Sequence, residues 1–265
     1  MTVSKILSLK GKTKLAMLTA YDFLSAKILE KAGTDIILVG DSLGTAIMGY
    51  PNTLPVTVDQ MIYHTYAVRR GAPQSLVVAD MPFMSYGASM EEGIRNAGRF
   101  LKEAGANAVK LEGGEERSEL IRAMTGLGIP VMGHIGLLPQ SVNRSGYRIA
   151  GKTDSETKEL IDDAAALEKA GVFAMVIEGT TEEAAKAVTD SVGVPTIGIG
   201  AGRFTDGQVL VLADMLGLDP DTNFKHNKRY ADLYLPFSEA VSAYIGEVKS
   251  GKFPGEDQTA HQTSK

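Results

Sequence analysis

Residues 35–42 read Asp-Ile-Ile-Leu-Val-Gly-Asp-Ser, an aliphatic run that ends in a carboxylate. Such an uninterrupted run is typical of a strand that is buried on both faces in a parallel sheet. The carboxylate of Asp41 is not stabilised by burial in an apolar core. In α/β barrels, however, the carboxyl ends of the strands carry the active site. This stretch therefore predicts a parallel α/β fold with polar chemistry at one end of the sheet.

The same pattern recurs along the chain. Aliphatic runs also end in an acid at Asp80, at Glu112 and at Glu178. Three of the four runs follow a similar helix end, whose glycine suits the left-handed position after a helix, in Glu30-Lys31-Ala32-Gly33, Lys102-Glu103-Ala104-Gly105 and Glu168-Lys169-Ala170-Gly171. Because repeated βα units with right-handed crossovers close readily into a barrel, we expect an α/β fold, a (βα)8 TIM barrel in a single domain.

We expect eight strands, of which the eighth is the least defined because its segment could equally be helical. The predicted strands cover residues 14–20, 35–41, 76–80, 106–112, 130–135, 173–178, 195–199 and 209–212. Predicted helices include residues 89–104, 154–170 and 181–191. Two long connections, 42–57 and 136–153, follow strands, and loops of this length are commonly lids or binding loops. We expect the barrel to occupy residues 1–254 and a polar, disordered tail to follow at 255–265.

Composition excludes several classes of protein. The chain has 265 residues, which suits a barrel of roughly 250 residues, and it is 44% hydrophobic and 22% charged. A net charge of -5 without a basic tract argues against nucleic-acid or anionic-membrane partners. The absence of cysteine excludes disulfides, thiolate zinc sites and cysteine nucleophiles. With neither a signal-peptide pattern nor an apolar run of about 20 residues, we expect a cytoplasmic protein.

Asp41 and Asp80 are the first candidates for metal ligands. A hard cation such as Mg²⁺ takes oxygen ligands, usually one or two carboxylates together with water and substrate oxygens. Each aspartate could instead cap the helix that follows its strand, since Asp is a preferred N-cap residue. Several acids at equivalent places in repeated units favour the metal site. Zinc is less favoured, because none of the four histidines is paired at ligand spacing.

Three other side chains are candidates for the chemistry. Lys110 lies two residues before Glu112, so both share one face of a strand, with the lysine deeper in the barrel. Its ammonium could bind a substrate carboxylate or oxyanion, or it could form an internal ion pair with a neighbouring acid. Glu178 ends an otherwise apolar strand, a setting that suits a general base; the alternative is a solvated carboxylate at the rim. His134 ends the fifth strand and is expected to face the barrel mouth.

These motifs together resemble the ketopantoate hydroxymethyltransferase family. The correspondence runs in order from about residue 19 to residue 255. The matching segments begin at Thr19-Ala20-Tyr21-Asp22, Val39-Gly40-Asp41-Ser42-Leu43-Gly44, Thr53-Leu54-Pro55-Val56-Thr57 and Ala79-Asp80-Met81-Pro82-Phe83. They continue with Val109-Lys110-Leu111-Glu112-Gly113-Gly114, Gly133-His134-Ile135-Gly136-Leu137, Pro139-Gln140-Ser141-Val142 and Ile197-Gly198-Ile199-Gly200-Ala201-Gly202. The chain departs from the family pattern at residues 145–151, in the loop after the fifth strand.

The resemblance implies a (βα)8 barrel that uses Mg²⁺ and takes 5,10-methylenetetrahydrofolate as one-carbon donor. The implied reaction transfers a hydroxymethyl group to 3-methyl-2-oxobutanoate and gives 2-dehydropantoate, a step of pantothenate biosynthesis. It also implies a homo-oligomer. Carried over by residue, the metal ligands are Asp41, Asp80 and Glu112, the keto acid is bound by Asp41, Ser42, Asp80 and Lys110, and the proton acceptor is Glu178.

The residues and the resemblance agree on one mechanism. An α-keto acid can chelate Mg²⁺, which would stabilise the enolate formed when C3 loses a proton. The main alternative is a Mg²⁺-dependent C–C lyase of the isocitrate-lyase type, but that family usually carries a reactive cysteine in its lid, and this chain has none. A second alternative is a catalytically silent barrel that binds metabolites. Such a protein has no need for four acids in register at strand ends.

Overall fold

The computed structural model describes residues 1–222 and 224–262. The chain divides into two compact units, Met1–Leu212 and Ala213–Lys265. The first unit contains all eight strands of the barrel and every predicted site residue.

Eight parallel strands close the barrel in sequence order, with β8 paired to β1. The strands are β1 Leu15–Thr19, β2 Ile36–Val39, β3 Leu76–Asp80, β4 Ala108–Lys110, β5 Val131–Gly136, β6 Ala174–Glu178, β7 Thr196–Ile199 and β8 Gly207–Leu210. The predicted (βα)8 fold is confirmed. The eighth segment is a strand rather than a helix, and it begins at Gly207, two residues earlier than predicted.

Helices follow most of the strands. Within the described residues, those of the first unit are α1 Val3–Leu7, α2 Phe23–Ala32, α3 Leu43–Ala46, α4 Val58–Gly71, α5 Met90–Glu103, α6 Ser118–Gly126, α7 Val142–Ser145, α8 Asp154–Ala170 and α9 Glu182–Ser191, with 3₁₀ turns at Glu115–Arg117 and Pro139–Ser141. The three glycines of the repeated helix ends have positive φ angles, as predicted: 87° at Gly33, 72° at Gly105 and 99° at Gly171. Of the two long connections predicted from the sequence, 42–57 contains α3, and 136–153 contains a 3₁₀ turn and α7.

The strands alternate between two layers of the core. Ile36, Leu38 and Val78 belong to one apolar cluster, whereas Ile37, Val39 and Val77 belong to a second cluster that also includes helix residues. The first cluster fills the barrel interior, because successive strand residues face opposite sides. Each strand therefore sends every second side chain inward, and this register decides which polar residues enter the barrel.

The second unit contains α11, which spans Tyr234–Ser250, and a 3₁₀ turn at Glu256–Gln258; α10, Leu212–Met215, begins at the last residue of the first unit. Many large apolar side chains of α11 are exposed, among them Leu235, Phe237 and Tyr244. The domain boundary at residue 254 and the disordered tail stay predictions, and residues 263–265 of that tail lie outside the described residues. Over the part of the chain that the structure describes, no helix combines the length and the apolar character needed to cross a membrane.

Candidate active site

The acids singled out in the sequence meet at one end of the barrel. Asp80 and Glu178 are the last residues of β3 and β6, and Glu112 lies two residues beyond β4. The register places Asp80, Glu112 and Glu178 on the same inward face as the apolar residues beneath them. Asp41 follows the end of β2, where the chain turns toward α3. The carboxyl ends of neighbouring strands thus bring the predicted site residues together.

Gly40 makes room for this arrangement. A Cβ atom at this position would lie 2.6 Å from the Oγ atom of Ser42 and 3.4 Å from Oδ2 of Asp80. A Cβ atom here would displace the Ser42 hydroxyl, whereas its contact with Asp80 would be an ordinary one. The glycine before Asp41 therefore leaves room for the Ser42 hydroxyl in the turn that follows β2.

Lys110 forms a buried ion pair with Asp80. The Nζ atom of Lys110 lies 2.7 Å from Oδ1 of Asp80, and Oδ2 of the same carboxylate accepts a hydrogen bond of 3.1 Å from the backbone N–H of Asp41. All three residues are buried. The internal ion pair that the sequence left open is present. Lys110 also lines a small cavity, described below.

Gln140 connects Asp41 to Glu112. Its side-chain N–H group donates hydrogen bonds of 2.8 Å to Oδ2 of Asp41 and 3.0 Å to the carbonyl oxygen of Met81. Its backbone N–H donates a bond of 3.1 Å to Oε2 of Glu112. Its side-chain oxygen accepts a bond of 2.7 Å from the hydroxyl of Tyr86, which in turn accepts one of 3.2 Å from the backbone N–H of Glu112. One loop residue therefore fixes two of the candidate ligands.

His134 lies between the lysine and the candidate base. Its Nδ1 atom is 3.2 Å from Nζ of Lys110, and its Nε2 atom is 3.3 Å from Oε2 of Glu178. Because an ammonium group can only donate, Nδ1 must be the acceptor, and the proton of a neutral ring then sits on Nε2, which is buried and has no hydrogen-bond partner among the described residues. Burial and the charge of Lys110 lower the pKa of His134, which favours the neutral ring. Glu178 itself is 24% exposed, so it lies nearer the rim.

The ionised cluster carries a surplus of negative charge. The carboxylates of Asp41, Asp80 and Glu112 share the ammonium of Lys110. Burial, followed by the charge of Asp80, raises the pKa of Asp41 to about 7. Burial and the charge of Asp41 likewise raise the pKa of Glu112 well above its usual range. Although burial alone would lower the pKa of Lys110, the three carboxylates raise it. When all three carboxylates are ionised, one ammonium leaves two negative charges without a partner, and a divalent cation at this position would offset both.

The donor set fits Mg²⁺. No three His, Asp or Glu side chains among the described residues form a ready-made metal site, but Mg²⁺ in proteins usually needs only one or two carboxylates, with water and substrate oxygens completing its shell. Asp41 and Asp80 supply two carboxylates from adjacent strands. With Glu112 they offer only oxygen atoms as ligands, and Mg²⁺ prefers oxygen ligands. The candidate ligands are also held by neighbouring donors, as ligands of metal sites usually are.

A small cavity opens beside these residues. Its volume is about 120 Å³, and the polar residues that line it include Asp41, Ser42, Lys110, Glu112, His134 and Glu178. The Oγ atom of Ser42 lies 2.9 Å from the hydroxyl of Tyr21. Asp80 is not among the lining residues of this cavity; its two oxygens contact the Lys110 ammonium and the backbone N–H of Asp41. The predicted site residues thus surround a space for one small molecule, with Asp80 behind them.

Three neighbours of the site were not predicted as functional residues. Gln140 and Tyr86 come from loops, and His134 was expected only to face the mouth. For Gln140 the available signal was its place directly after Pro139 in a long loop that follows a strand. For Tyr86 no pattern in the sequence indicated the contact with Gln140.

Comparison with known proteins identifies relatives of the whole chain. The model of the family described as ketopantoate hydroxymethyltransferase matches residues 1–256. A 3-methyl-2-oxobutanoate hydroxymethyltransferase from Thermotoga neapolitana is 56% identical over 258 residues, which cover 97% of this chain and 95% of the relative. The enzyme of the same name from Thermotoga maritima is 54% identical over 266 residues, which cover 100% of this chain and 98% of the relative.

Solved structures show the same fold at lower identity. A 2,3-dimethylmalate lyase, of the PEP mutase/isocitrate lyase superfamily, has a TM-score of 0.62 at 18% identity, covering 98% of this chain and 92% of that chain. A phosphonopyruvate hydrolase in complex with oxalate and Mg²⁺ has a TM-score of 0.63 at 16% identity, covering 99% and 92%. These likenesses concern the barrel alone. On its sequence, matched from end to end, the chain belongs to the ketopantoate hydroxymethyltransferase family.

Proposed function

We propose that the protein transfers a hydroxymethyl group from 5,10-methylenetetrahydrofolate to 3-methyl-2-oxobutanoate and gives 2-dehydropantoate. The observation that carries the proposal is the buried cluster of Asp41, Asp80, Glu112 and Lys110, of which all but Asp80 line a cavity of about 120 Å³ together with Glu178. In the reaction C3 of the keto acid loses a proton and bonds to the methylene carbon. Both bonds from that carbon to the folate nitrogens break: one is replaced by the bond to C3 and the other by a bond to the oxygen of water, and the two nitrogens take up the C3 proton and one proton of the water.

The metal side of the site consists of the three buried acids. Asp41 and Asp80 would hold Mg²⁺, and Glu112 would complete the same site. Bound Mg²⁺ would polarise the keto group and stabilise the negative charge that forms when C3 loses its proton. Gln140 keeps Asp41 and Glu112 in place through the hydrogen bonds described above.

The keto acid would occupy the small cavity. Lys110 and Ser42 line it and can bind the substrate's carboxylate and carbonyl oxygens, as a cation and as a hydroxyl donor. The cavity volume of about 120 Å³ suits a five-carbon acid, whereas drug-sized ligands take roughly 300–1,000 Å³. The second substrate must therefore approach from outside this cavity.

Glu178 would accept the C3 proton. It lies on the same cavity as Lys110, and its partial exposure gives the proton a route to solvent. The Nε2 atom of His134 lies 3.3 Å from one carboxylate oxygen but makes no hydrogen bond of good geometry with it among the described residues. In this arrangement Glu178 is the catalytic residue and His134 is a positioning residue.

Two assays test the proposal. Hydrogen exchange at C3 of 3-methyl-2-oxobutanoate, followed by NMR in deuterated buffer, should require Mg²⁺ but no folate. Release of tetrahydrofolate should then require both substrates. Absence of exchange with Mg²⁺ present would refute the proposed chemistry, and aldol cleavage of other acids without transfer would favour a lyase.

We also infer a homo-oligomer, because α11 exposes apolar side chains such as Leu235 and Phe237. Exposed apolar patches of this kind commonly mark interfaces between proteins. Light scattering after gel filtration should give a mass that is a multiple of 28.2 kDa. A monomeric mass at micromolar concentration would refute this inference.

A further inference from the structure

The hydroxyl group of Ser42 does not cap the helix that begins beside it. Ser42 is the N-cap residue of α3, and serine is favoured at such positions because its oxygen can accept a hydrogen bond from a backbone N–H of the first turn. In the described part of the chain, Ser42 makes no such side-chain bond to α3. Its Oγ atom lies instead 2.9 Å from the hydroxyl of Tyr21, and Ser42 lines the small cavity. Another side chain therefore holds this hydroxyl at the edge of the cavity.

The backbone that carries Tyr21 is fixed on both sides. Tyr21 lies in the short junction between β1 and α2 and is 5% exposed. Before it, the N–H of Ala20 donates a bond of 2.9 Å to the carbonyl oxygen of Leu38, which continues the pairing of β1 with β2. After it, Asp22 caps α2 by accepting a bond of 2.9 Å from the N–H of Ser25. The phenol ring thus starts from a well-defined position.

The carbonyl group of Tyr21 has a partner on a third element. The Nδ1 atom of His64, on α4, lies 2.6 Å from this oxygen. Because a carbonyl oxygen can only accept, Nδ1 carries the proton of this bond. Tyr21 therefore reaches Ser42 from a position that β1, α2 and α4 define together.

We propose that Tyr21 is a positioning residue, which holds the hydroxyl of Ser42 in the orientation that binds the carboxylate of the keto acid. The inference rests on the proposed function, in which Ser42 and Lys110 bind oxygen atoms of the substrate. It adds a buried residue that does not itself line the small cavity.

The chemistry of the two hydroxyl groups sets the direction of the chain. A carboxylate can only accept hydrogen bonds, so Ser42 must donate its single proton to the substrate. The oxygen of Ser42 still has two lone pairs, and Tyr21 then donates to one of them. Hydrogen bonds in such a chain polarise one another, so the bond from Ser42 to a charged acceptor is strengthened. Without Tyr21, the serine keeps its proton but loses the group that fixes its oxygen.

The alternative is a purely structural bond, which joins the junction after β1 to the turn after β2. Both interpretations predict that Tyr21→Phe lowers the stability of the protein, because a buried hydrogen bond is lost. Only the positioning role predicts that the effect of Tyr21→Phe on keto-acid affinity disappears once Ser42 has lost its hydroxyl. The test must therefore measure the coupling between the two residues.

A double-mutant cycle measures this coupling. Calorimetric titration with 3-methyl-2-oxobutanoate at saturating Mg²⁺ should give an affinity about tenfold weaker for Ser42→Ala and about fivefold weaker for Tyr21→Phe. The double variant should bind like Ser42→Ala alone, because Tyr21 acts through the serine. Separate losses that multiply to about fiftyfold in the double variant would overturn the inference.

Tyr86→Phe is the matched control for this cycle. Tyr21 and Tyr86 are 5% and 6% exposed, but the hydroxyl of Tyr86 bonds to Gln140 and Glu112. Any effect of Tyr86→Phe on keto-acid affinity should be the same with and without the hydroxyl of Ser42. If Tyr86→Phe is coupled to Ser42 as strongly as Tyr21→Phe, the coupling is not specific and the inference fails.

A titration with Mg²⁺ alone tests which side of the site Tyr21 serves. Tyr21→Phe should bind Mg²⁺ with wild-type affinity, because Ser42 is not one of the three candidate metal ligands. This result would also show that the variant is folded. Weaker Mg²⁺ binding by Tyr21→Phe would assign the residue to the metal side instead and overturn the inference.

Hydrogen exchange at C3 separates this inference from the proposed function. A bond to the carboxylate is made in the bound keto acid and in its enolate alike, so Tyr21→Phe should raise the KM of exchange about fivefold and leave kcat unchanged. If wild-type protein exchanges but Tyr21→Phe has the same KM and the same keto-acid affinity, only the role of Tyr21 is refuted. If wild-type protein neither binds the keto acid nor exchanges its C3 hydrogen, the proposed function itself fails.

Discussion

Tyr86→Phe should lower the stability of the protein by removing one buried hydroxyl group while the aromatic ring is kept. The hydroxyl of Tyr86 makes two buried hydrogen bonds, one of 2.7 Å to the side-chain oxygen of Gln140 and one of 3.2 Å from the backbone N–H of Glu112. Phenylalanine would leave both partners buried without these bonds. At a net value of about 1 kcal/mol for each bond, the free energy of unfolding should fall by about 2 kcal/mol. The midpoint of urea denaturation, measured with EDTA present, reports this change.

The same substitution should also reduce the affinity for Mg²⁺. Gln140 holds Asp41 and Glu112 at once, and residues that orient metal ligands typically contribute about 10–100-fold to affinity. Tyr63→Phe is the matched control, because Tyr63 is 75% exposed. If Tyr86→Phe and Tyr63→Phe have equal stability and equal metal affinity, the role assigned to this hydrogen-bond network is wrong.

Three further predictions concern single carboxylates. Asp80→Asn should weaken Mg²⁺ binding by at least about tenfold in a calorimetric titration, and an unchanged titration would remove Asp80 from the metal site. Glu178→Gln should leave binding of metal and keto acid nearly intact but slow C3 exchange by about 10²–10⁴-fold; exchange at the wild-type rate would exclude it as the base. Burial alone would raise the pKa of Asp206, but the Lys10 ammonium, 2.8 Å away, and the N–H of Thr196 hold it below its usual range. Because the folded-state pKa is depressed, its stabilising effect is complete above the unfolded pKa of about 3.9 and is lost as pH falls through the folded value. Thermal melts should therefore show a shallower acid limb in Asp206→Asn than in wild type, and parallel limbs would contradict this.

The barrel and its polar end could be predicted because both depend on local patterns. An aliphatic run such as residues 36–39 specifies a buried strand, and the residue after it must lie at the strand's carboxyl end. In a parallel barrel all such ends meet, so Asp80, Glu112 and Glu178 could be placed together without knowing a single contact. The eighth strand was harder to predict, because its segment could equally be helical; it begins at Gly207, where a Cβ atom would lie 2.5 Å from the carbonyl oxygen of Leu15.

The contacts that hold the site could not be predicted in the same way. The bond from Gln140 to Asp41 joins residues 99 positions apart, and the bond from Tyr86 to Gln140 joins residues 54 apart. Both depend on how two loops fold over the barrel mouth, and loop conformation leaves no periodic signal. The partner of Lys110 was uncertain for a related reason. The alternation along β4 predicted that its side chain enters the barrel, but only the alignment with β3 pairs it with Asp80.

The two sides of the candidate site differ in ways that match their proposed tasks. Asp41, Asp80 and Glu112 are buried and tied to neighbouring donors, and such preorganised ligands lose little entropy when they bind a cation. Glu178 lines the same cavity, partly exposed, with His134 as its neighbour. A base that works repeatedly must return its proton to water, which a fully enclosed carboxylate would do slowly. The deep acids therefore suit binding of a charge, and the acid at the rim suits transfer of a proton.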